Sequence, residues 1–375
     1  MSISQMSGRE RILAALHSKE VDRLPWTPLI DPYFINSLPQ QGLDYDFIQA
    51  CTYIGNDIIE RHVCGPTATY QNVTQRREEN GNIMREYFDT PVGSVFVEHT
   101  KTGETSYVSK HMVESVEDMK IFSYICENTI YTPNIDAFIQ RDKEIGDRGI
   151  ASLSGPMSPV QEMLQFISGV ENTVYLLMDY PDEMEALFDT MHQRNKKQYD
   201  LLLEYPCDYI FDYEDTSTTV MSRTMFQDYS LPAINDYSDM VHQHNKTFIT
   251  HMCGKLTGFV DLIAKGRQDG IDSVCPPQTG DLYPWNAREA WGKEKVVIGG
   301  IDPPSLVSMT KEQTLQTVLD VIQNVKNKHG FILSTGDAVP FGAPIEHLKA
   351  ISQLIALLGP KSMGCEIDPE VIKQI

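Results

Sequence analysis

The chain has 375 residues, of which 41% are hydrophobic and 22% charged, the balance of an ordinary globular protein. Its 52 acidic residues against 31 basic ones give a formal charge of −21, which argues against a nucleic-acid partner because such binding requires Lys and Arg to neutralise phosphates. No apolar run approaches the roughly 18 residues of a membrane span, and the opening MSISQMSGRE is not a hydrophobic signal, so we expect a cytoplasmic protein without a membrane partner.

Near the N-terminus the sequence predicts two helices and two short strands. Ser7 and Glu10 have the spacing of a capping box, so a helix is predicted over residues 7–18. Residues 25–30, PWTPLI, are typical of a buried strand whose two prolines limit its hydrogen bonding. Residues 44–55 indicate a second helix that leads directly into a second strand.

Residues 67–113 have a different character. The later part of this stretch alternates apolar and polar residues around the turns TPVG and KTGE, which is typical of an antiparallel hairpin or meander. We therefore predict a β-meander inserted after the second strand, within a single domain that spans residues 1–375.

The rest of the chain alternates helical stretches with short apolar runs. The predicted helices include residues 182–204, 225–244, 256–265 and 311–327. The apolar runs are residues 149–153, 209–211, 247–250, 271–274, 296–298 and 331–333. With the two earlier strands they predict an α/β fold, a (β/α)8 barrel with an N-terminal helical extension. A doubly wound open sheet is the alternative, but no GxGxxG fingerprint follows any strand.

Metal-ligand residue types lie at the predicted carboxyl ends of several barrel strands. His251 and Cys253 follow the fifth strand at a spacing that points both side chains to one face, Cys275 follows the sixth, and Asp337 follows the eighth. Imidazole and thiolate are ligands that zinc prefers, and strand ends are where barrel enzymes place their chemistry. The seven cysteines form no short framework, which favours reduced thiols over disulfides. The alternatives are a buried apolar role for Cys275 and a helix-capping role for Asp337.

An acidic run, Asp212, Glu214 and Asp215, follows the fourth strand. Alternation puts Asp212 and Glu214 on one side of that strand, where they are candidates to bind a cation, to act as acid and base, or to orient a ligating imidazole. Solvated loop carboxylates are the alternative. Three residues around the first strand are candidates to wall a substrate pocket or to pack the rim: Trp26, Asp31 and Tyr33.

Several segments, in this order, resemble the uroporphyrinogen decarboxylase superfamily over nearly the whole chain. They are RERILAALHSKEVDRLPW, SGPMSP, MFQDYSLPAINDYSDMVHQHNKTFITHMCG, VVIGGIDPPSL and GFILSTGDAVPFGAPIEHL. The decarboxylase itself carries an arginine-containing signature after its first strand, and this chain has TPLIDPYFINSLP there, without arginine. The resemblance is closer to the zinc- and cobalamin-dependent methyltransferase branch, which carries the H-x-C motif.

That resemblance implies a catalytic zinc held by His251, Cys253 and a third ligand. The family's later Cys follows a glycine at the end of the eighth strand, and this chain has Gly336-Asp337 there. Either Asp337 binds through oxygen or Cys275 replaces the missing ligand, as in the distantly similar cobalamin-independent methionine synthase.

The resulting expectation is a methyltransferase that moves a methyl group between a small methylated substrate, such as a methoxy compound or thiol, and the cobalamin of a corrinoid protein. The cobalamin would arrive on that separate partner, because this chain has no D-x-H-x-x-G segment. The alternatives are a uroporphyrinogen decarboxylase and a non-catalytic metal-binding or corrinoid-partner-binding protein.

Overall fold

The computed structural model describes residues 5–61, 63–102 and 106–375 of the chain. Its centre is a closed barrel of parallel strands, which confirms the predicted fold class. The second strand, Ile58–Glu60, pairs with the first half of the third, Gly149–Ala151. The second half of the third strand and the fourth to eighth strands pair in chain order: Leu153–Gly155, Tyr209–Tyr213, Thr247–His251, Gly270–Val274, Val296–Ile301 and Phe331–Thr335.

Residues 25–30 close the barrel as its first strand without forming a regular ladder. Trp26 is bridged to Leu333 of the eighth strand, and the Asp57 amide donates a 2.9 Å hydrogen bond to the Trp26 carbonyl on the other side. The two prolines of this segment have no N–H to donate, so isolated bridges replace continuous pairing.

Side-chain alternation divides the barrel residues into two cores. Inward-facing side chains fill the barrel itself and are mainly β-branched and aromatic: Ile59, Ile150, Tyr209, Phe211, Ile249, Ile298 and Ile332. The residues between them, such as Ile210 and Phe248, pack against the surrounding helices. This alternation decides which residues beyond a strand's end can reach the top of the barrel.

Helices cover the outside of the barrel and follow its strands. Those that match predicted helices are Phe47–Ile54, Pro181–Leu202, Leu231–Gln243, Val260–Lys265 and Lys311–Asn324, and Ile345–Leu358 follows the eighth strand. Four further helices of eight or more residues lie in described stretches where none was predicted individually: Val116–Glu127, Ile135–Ile145, Val170–Asp179 and Pro284–Trp291. Shorter helices, such as Pro32–Ser37, lie in others. Within the described residues, none of the helices combines the length and apolar character that crossing a bilayer requires.

The antiparallel region consists of two sheets. Four strands form the meander, Thr74–Asn80, Ile83–Thr90, Gly93–Lys101 and Ser106–Lys110. The preceding strand, Thr67–Tyr70, pairs instead with Thr129–Thr132. Its partner lies beyond the helix Val116–Glu127, so a pattern limited to local hairpins does not reveal it.

The N-terminal helix Gly8–Leu16 closes the amino-terminal end of the barrel. Ser7 caps it, and the reciprocal bond between Ser7 and Glu10 confirms the predicted capping box. Ile12 and Leu16 are buried in the same core as the inward-facing barrel residues. The opposite, carboxyl-terminal end of the barrel is therefore the end left open for a site.

Candidate metal centre

A cavity of about 710 Å³ lies at the carboxyl ends of the barrel strands. One side is mainly apolar, with Leu29, Ile30, Ile35 and Phe47 among its residues, and the barrel contributes polar side chains. Those polar residues are Glu60, Arg61, Tyr213, Asp215, His251, Cys253 and Asp337. The cavity thus combines an apolar wall with a group of metal-ligand types.

Asp215, His251 and Cys253 bring three ligand atoms together, all within 4.8 Å of one another. The Cys253 Sγ lies 3.2 Å from the Asp215 Oδ1, and the His251 Nε2 lies 3.5 Å from the same oxygen. Ligands bound at zinc's usual distances in a tetrahedron are separated by about 3.5 Å. The donor set and its spacing therefore fit a zinc ion.

Neighbouring strands position these three residues. His251 is the last residue of the fifth strand and is paired in register with Tyr213 of the fourth, whose ring stacks on the imidazole at 4.7 Å. The Asp215 amide donates a 3.0 Å hydrogen bond to the His251 carbonyl, which ties the fourth strand's loop to the fifth strand. Asp215 has a φ of +36°, a conformation rare for a residue with a side chain. The turn made there brings its carboxylate to Cys253.

A buried carboxylate orients the imidazole of His251. The Nδ1 of His251 lies 2.9 Å from the Asp272 Oδ2 and 3.1 Å from the Ser273 hydroxyl, so Nε2 faces the other two ligand candidates. Arg61 donates a 2.8 Å hydrogen bond to the other oxygen of Asp272. Burial by itself would raise the pKa of Asp272. The charges of Arg61 and His251 and their hydrogen bonds to the carboxylate have the larger effect, so the pKa is lowered. An ionised Asp272 holds the proton on Nδ1 and leaves Nε2 free to bind a metal.

Asp337 lies beside the three-residue cluster. It lines the cavity, and burial together with Asp215 and Asp337 raises the pKa of the Cys253 thiol. The Asp337 Oδ1 accepts from the amide of Ala338, and the next helix, Ile345–Leu358, has no side-chain cap. Asp337 therefore does not cap that helix, and a role in completing the metal site stays a prediction.

Cys275 lies apart from the cluster. Its Sγ is 3.8 Å from the Asp302 Oδ1 and packs against Gly336, where an added Cβ would lie only 2.5 Å from that sulfur. Burial raises the pKa of the Cys275 thiol to about 12. Among the described residues, the group that could hold a metal does not include Cys275, and Cys275 does not line the cavity.

Asp212 and Glu214 face away from the cavity, toward the helices. Because Tyr213 points into the barrel, the residues on either side of it point outward. Both are fully buried: Glu214 accepts from the backbone and hydroxyl of Ser158, and neither Asp212 carboxylate oxygen has a hydrogen-bond partner within the described part of the chain. Their role as acid and base stays a prediction, one that the lining of the cavity does not support.

The burial of Glu214 predicts a pH-dependent stability. Burial raises the pKa of Glu214 to about 7, although hydrogen bonds from Ser158 oppose the shift. Because the native pKa lies above the unfolded one, the protonated form stabilises the fold fully below about pH 4.3, and this contribution is lost as the pH rises through 7. The loss is about 3 kcal/mol. We expect Glu214→Gln to flatten denaturant-measured stability between pH 5 and pH 8.

Glu144→Gln is the matched control for that experiment, because Glu144 is an exposed carboxylate on the helix Ile135–Ile145. It should leave the pH dependence unchanged. Equal slopes for the unaltered protein and Glu214→Gln would show that the native fold does not raise the pKa of Glu214.

Three residues of this site were not assigned an individual role from the sequence. Asp215 was the third member of an acidic run, and Asp272 and Arg61 were not singled out. The sequence did contain two signals: Asp272 is the one charged residue in the run GIDSV, and Arg61 is a basic residue directly after the second strand. Arg61, Asp272 and His251 come together only because the second, fifth and sixth strands lie around one cavity in this register.

The fold and the residues at its open end define an α/β barrel with a candidate metal centre, and comparison with known proteins identifies the family. The family model described as uroporphyrinogen decarboxylase (URO-D) matches residues 99–356. The chain belongs to this family, as the order of its motifs predicts. No match was found among curated proteins.

Solved structures support the same fold. A methyltransferase from Methanosarcina mazei superposes with a TM-score of 0.61 at 15% identity, covering 93% of this chain and 98% of that one. A D-psicose 3-epimerase with D-tagatose from Clostridium cellulolyticum H10 is similar at a TM-score of 0.36 and 10% identity, covering 62% and 85% of the two chains. The first of these likenesses establishes the fold, and the second is too remote to support any conclusion.

Proposed function

We propose that this protein is a zinc-dependent methyltransferase that moves a methyl group between a small methylated substrate and the cobalamin of a separate corrinoid protein. The observation that carries the proposal is the convergence of Asp215, His251 and Cys253 in the cavity at the open end of the barrel. Membership of the URO-D family and the structural likeness to a methyltransferase are consistent with it.

The residues around the cluster suit a metal that binds a substrate heteroatom. Asp272 fixes the tautomer of His251, and Gln165 donates a 2.8 Å hydrogen bond to the Asp215 Oδ2, which leaves Oδ1 directed at Cys253. A zinc ion bound there would supply Lewis acidity toward an ether oxygen or stabilise a thiolate. Three protein ligands leave a position for substrate, as in catalytic zinc sites.

The apolar side of the cavity suits the body of such a substrate. Leu29, Ile30, Ile35 and Phe47 offer surface to a hydrocarbon or aromatic group while its heteroatom faces the cluster. Methoxy compounds and thiols have this combination, so O-demethylation is one form of the proposed reaction.

The charges of the cavity do not favour porphyrinogen decarboxylation. That substrate carries eight carboxylates, and its binding requires several unpaired cations. Among the described residues that line the cavity, Arg61 is the only Arg or Lys, and it is paired with Asp272. These charges support the proposed methyltransferase over the decarboxylase.

The test is spectroscopic and uses a corrinoid protein as the acceptor. The zinc-loaded protein is mixed with the reduced corrinoid protein, and methoxy compounds, methylated thiols and methanol are added in turn. We expect methyl-corrinoid absorbance to appear with at least one donor and to require both proteins. Tight zinc binding without methyl transfer from any donor, or to any thiol from methyl-corrinoid, would support a non-catalytic role.

A further inference from the structure

We propose that the cavity takes an uncharged or cationic methyl substrate and that Asp31, one of its lining residues, discriminates against anionic ones. This inference rests on the proposed function for the identity of the reacting group. The charge of the rest of the substrate is inferred from the charges of the cavity.

The basic groups around the cavity are already neutralised. Arg61 is buried and ion-paired with Asp272 at 2.8 Å. Arg141, which lies next to the cavity, makes two 2.7 Å hydrogen bonds to the carboxylate of the lining residue Glu60. Among the described residues of the cavity, no Lys or Arg lacks a carboxylate partner, so none contributes an uncompensated positive charge.

Two lining carboxylates, Asp31 and Asp337, form no ion pair with a Lys or Arg among the described residues. If Asp337 binds the metal, it adds negative charge to the centre, and if it does not, it adds the same charge beside the centre. The cavity therefore keeps a net negative charge with a divalent metal bound, whichever residue completes the ligand set. A substrate anion would be repelled in either case.

Adjacent strand ends bring these two carboxylates to the same part of the wall. Leu29 of the first strand is bridged to Ala338, which directly follows Asp337, and the Val339 amide donates a 2.8 Å hydrogen bond to the Leu29 carbonyl. Asp31 lies two residues after Leu29 and is half-buried. A substrate bound in the cavity is therefore close to both carboxylates.

Asp31 also allows a conservative test, because its structural role does not require charge. Its Oδ1 caps the helix Pro32–Ser37 by accepting a 2.8 Å hydrogen bond from the Phe34 amide. Asparagine caps helices about as well as aspartate, so Asp31→Asn removes the charge and keeps the cap. Asp368, which caps Pro369–Gln374 and is also followed by proline, provides the matched control Asp368→Asn outside the cavity.

The experiment measures binding of three methyl ethers of similar shape to the zinc-loaded protein by calorimetry. They are 4-methoxybenzoate, 4-methoxybenzyl alcohol and 4-methoxybenzylammonium. We expect the anion to bind about ten-fold more weakly than the alcohol. This is the repulsion expected between the carboxylate of the ligand and one nearby carboxylate of the cavity when water partly screens the two charges. Asp31→Asn should reduce this ratio several-fold, Asp31→Lys should reverse it, and Asp368→Asn should leave it unchanged.

The proposal is overturned if the anion binds as tightly as the alcohol, if Asp31→Asn leaves the ratio unchanged, or if none of the three ethers binds. These measurements need no corrinoid protein. A failure of methyl transfer would therefore contradict the proposed function without affecting the binding ratio, and an unchanged ratio would contradict this inference alone.

Discussion

Replacing His251 by alanine is expected to weaken zinc binding by more than about 100-fold and to abolish methyl transfer. Loss of a ligand should exceed the 10–100-fold effect typical of residues that only orient a ligand. His251 is 2% exposed and supplies the nitrogen of the candidate donor set. The measurements are bound zinc by metal analysis, zinc affinity by chelator competition, and methyl-corrinoid absorbance.

Asp272→Asn gives a graded comparison for the same centre. Asparagine keeps a hydrogen bond to the His251 Nδ1 but removes the charge that Arg61 and His251 share. We expect zinc affinity to fall by about 10–100-fold with the three ligands intact. His192→Ala, which removes a histidine bonded to Tyr237 outside the cavity, should retain full zinc. Full zinc occupancy in His251→Ala would contradict the assignment of this centre.

Replacing Arg11 by methionine is expected to lower the free energy of unfolding by about 3–5 kcal/mol, the usual cost of removing one partner of a buried ion pair. Arg11 is 3% exposed; its Nε lies 2.6 Å from the Asp22 Oδ1, and its Nη1 is bonded to the buried Asp57. Removing the guanidinium leaves Asp57 with Arg23 as its remaining ion-pair partner among the described residues. Denaturant unfolding at neutral pH measures the change.

Arg9→Met is the matched control on the same helix. The Arg9 guanidinium pairs with Asp142 while both side chains are about 30% exposed, so its loss should cost less than about 1 kcal/mol. Adding Asp57→Asn to Arg11→Met should recover part of the stability, because the uncompensated buried charge is then gone. Equal losses in the two single variants would show that the buried cluster contributes no more than a surface pair.

The barrel could be predicted from local patterns because each of its units is encoded in a short stretch. Capping residues such as Ser7 and Glu10 define a helix start within one turn, and apolar runs such as residues 247–250 define buried strands. Parallel strands require crossovers, and helices of the right length lie between them. The exceptions, such as the pairing of Thr67–Tyr70 with Thr129–Thr132, depend on contacts that a local pattern does not contain.

The candidate site was only partly predictable for the same reason. His251 and Cys253 are two residues apart, so strand alternation alone indicates that they converge. Asp215 reaches them because of a positive φ and a hydrogen bond to the neighbouring strand, neither of which composition reveals. Alternation correctly placed Asp212 and Glu214 on one side of the fourth strand, but which side faces the cavity depends on how that strand is rotated in the barrel.

The sequence by itself determined the barrel, its capped N-terminal helix and the convergence of His251 with Cys253, because these depend on periodicity and on spacings of a few residues. Only the tertiary structure decided that Asp215 joins them, that Asp272 and Arg61 orient the imidazole, and that Cys275 lies apart. Those relations join residues from different strands, and register and side-chain direction become defined only when the barrel closes.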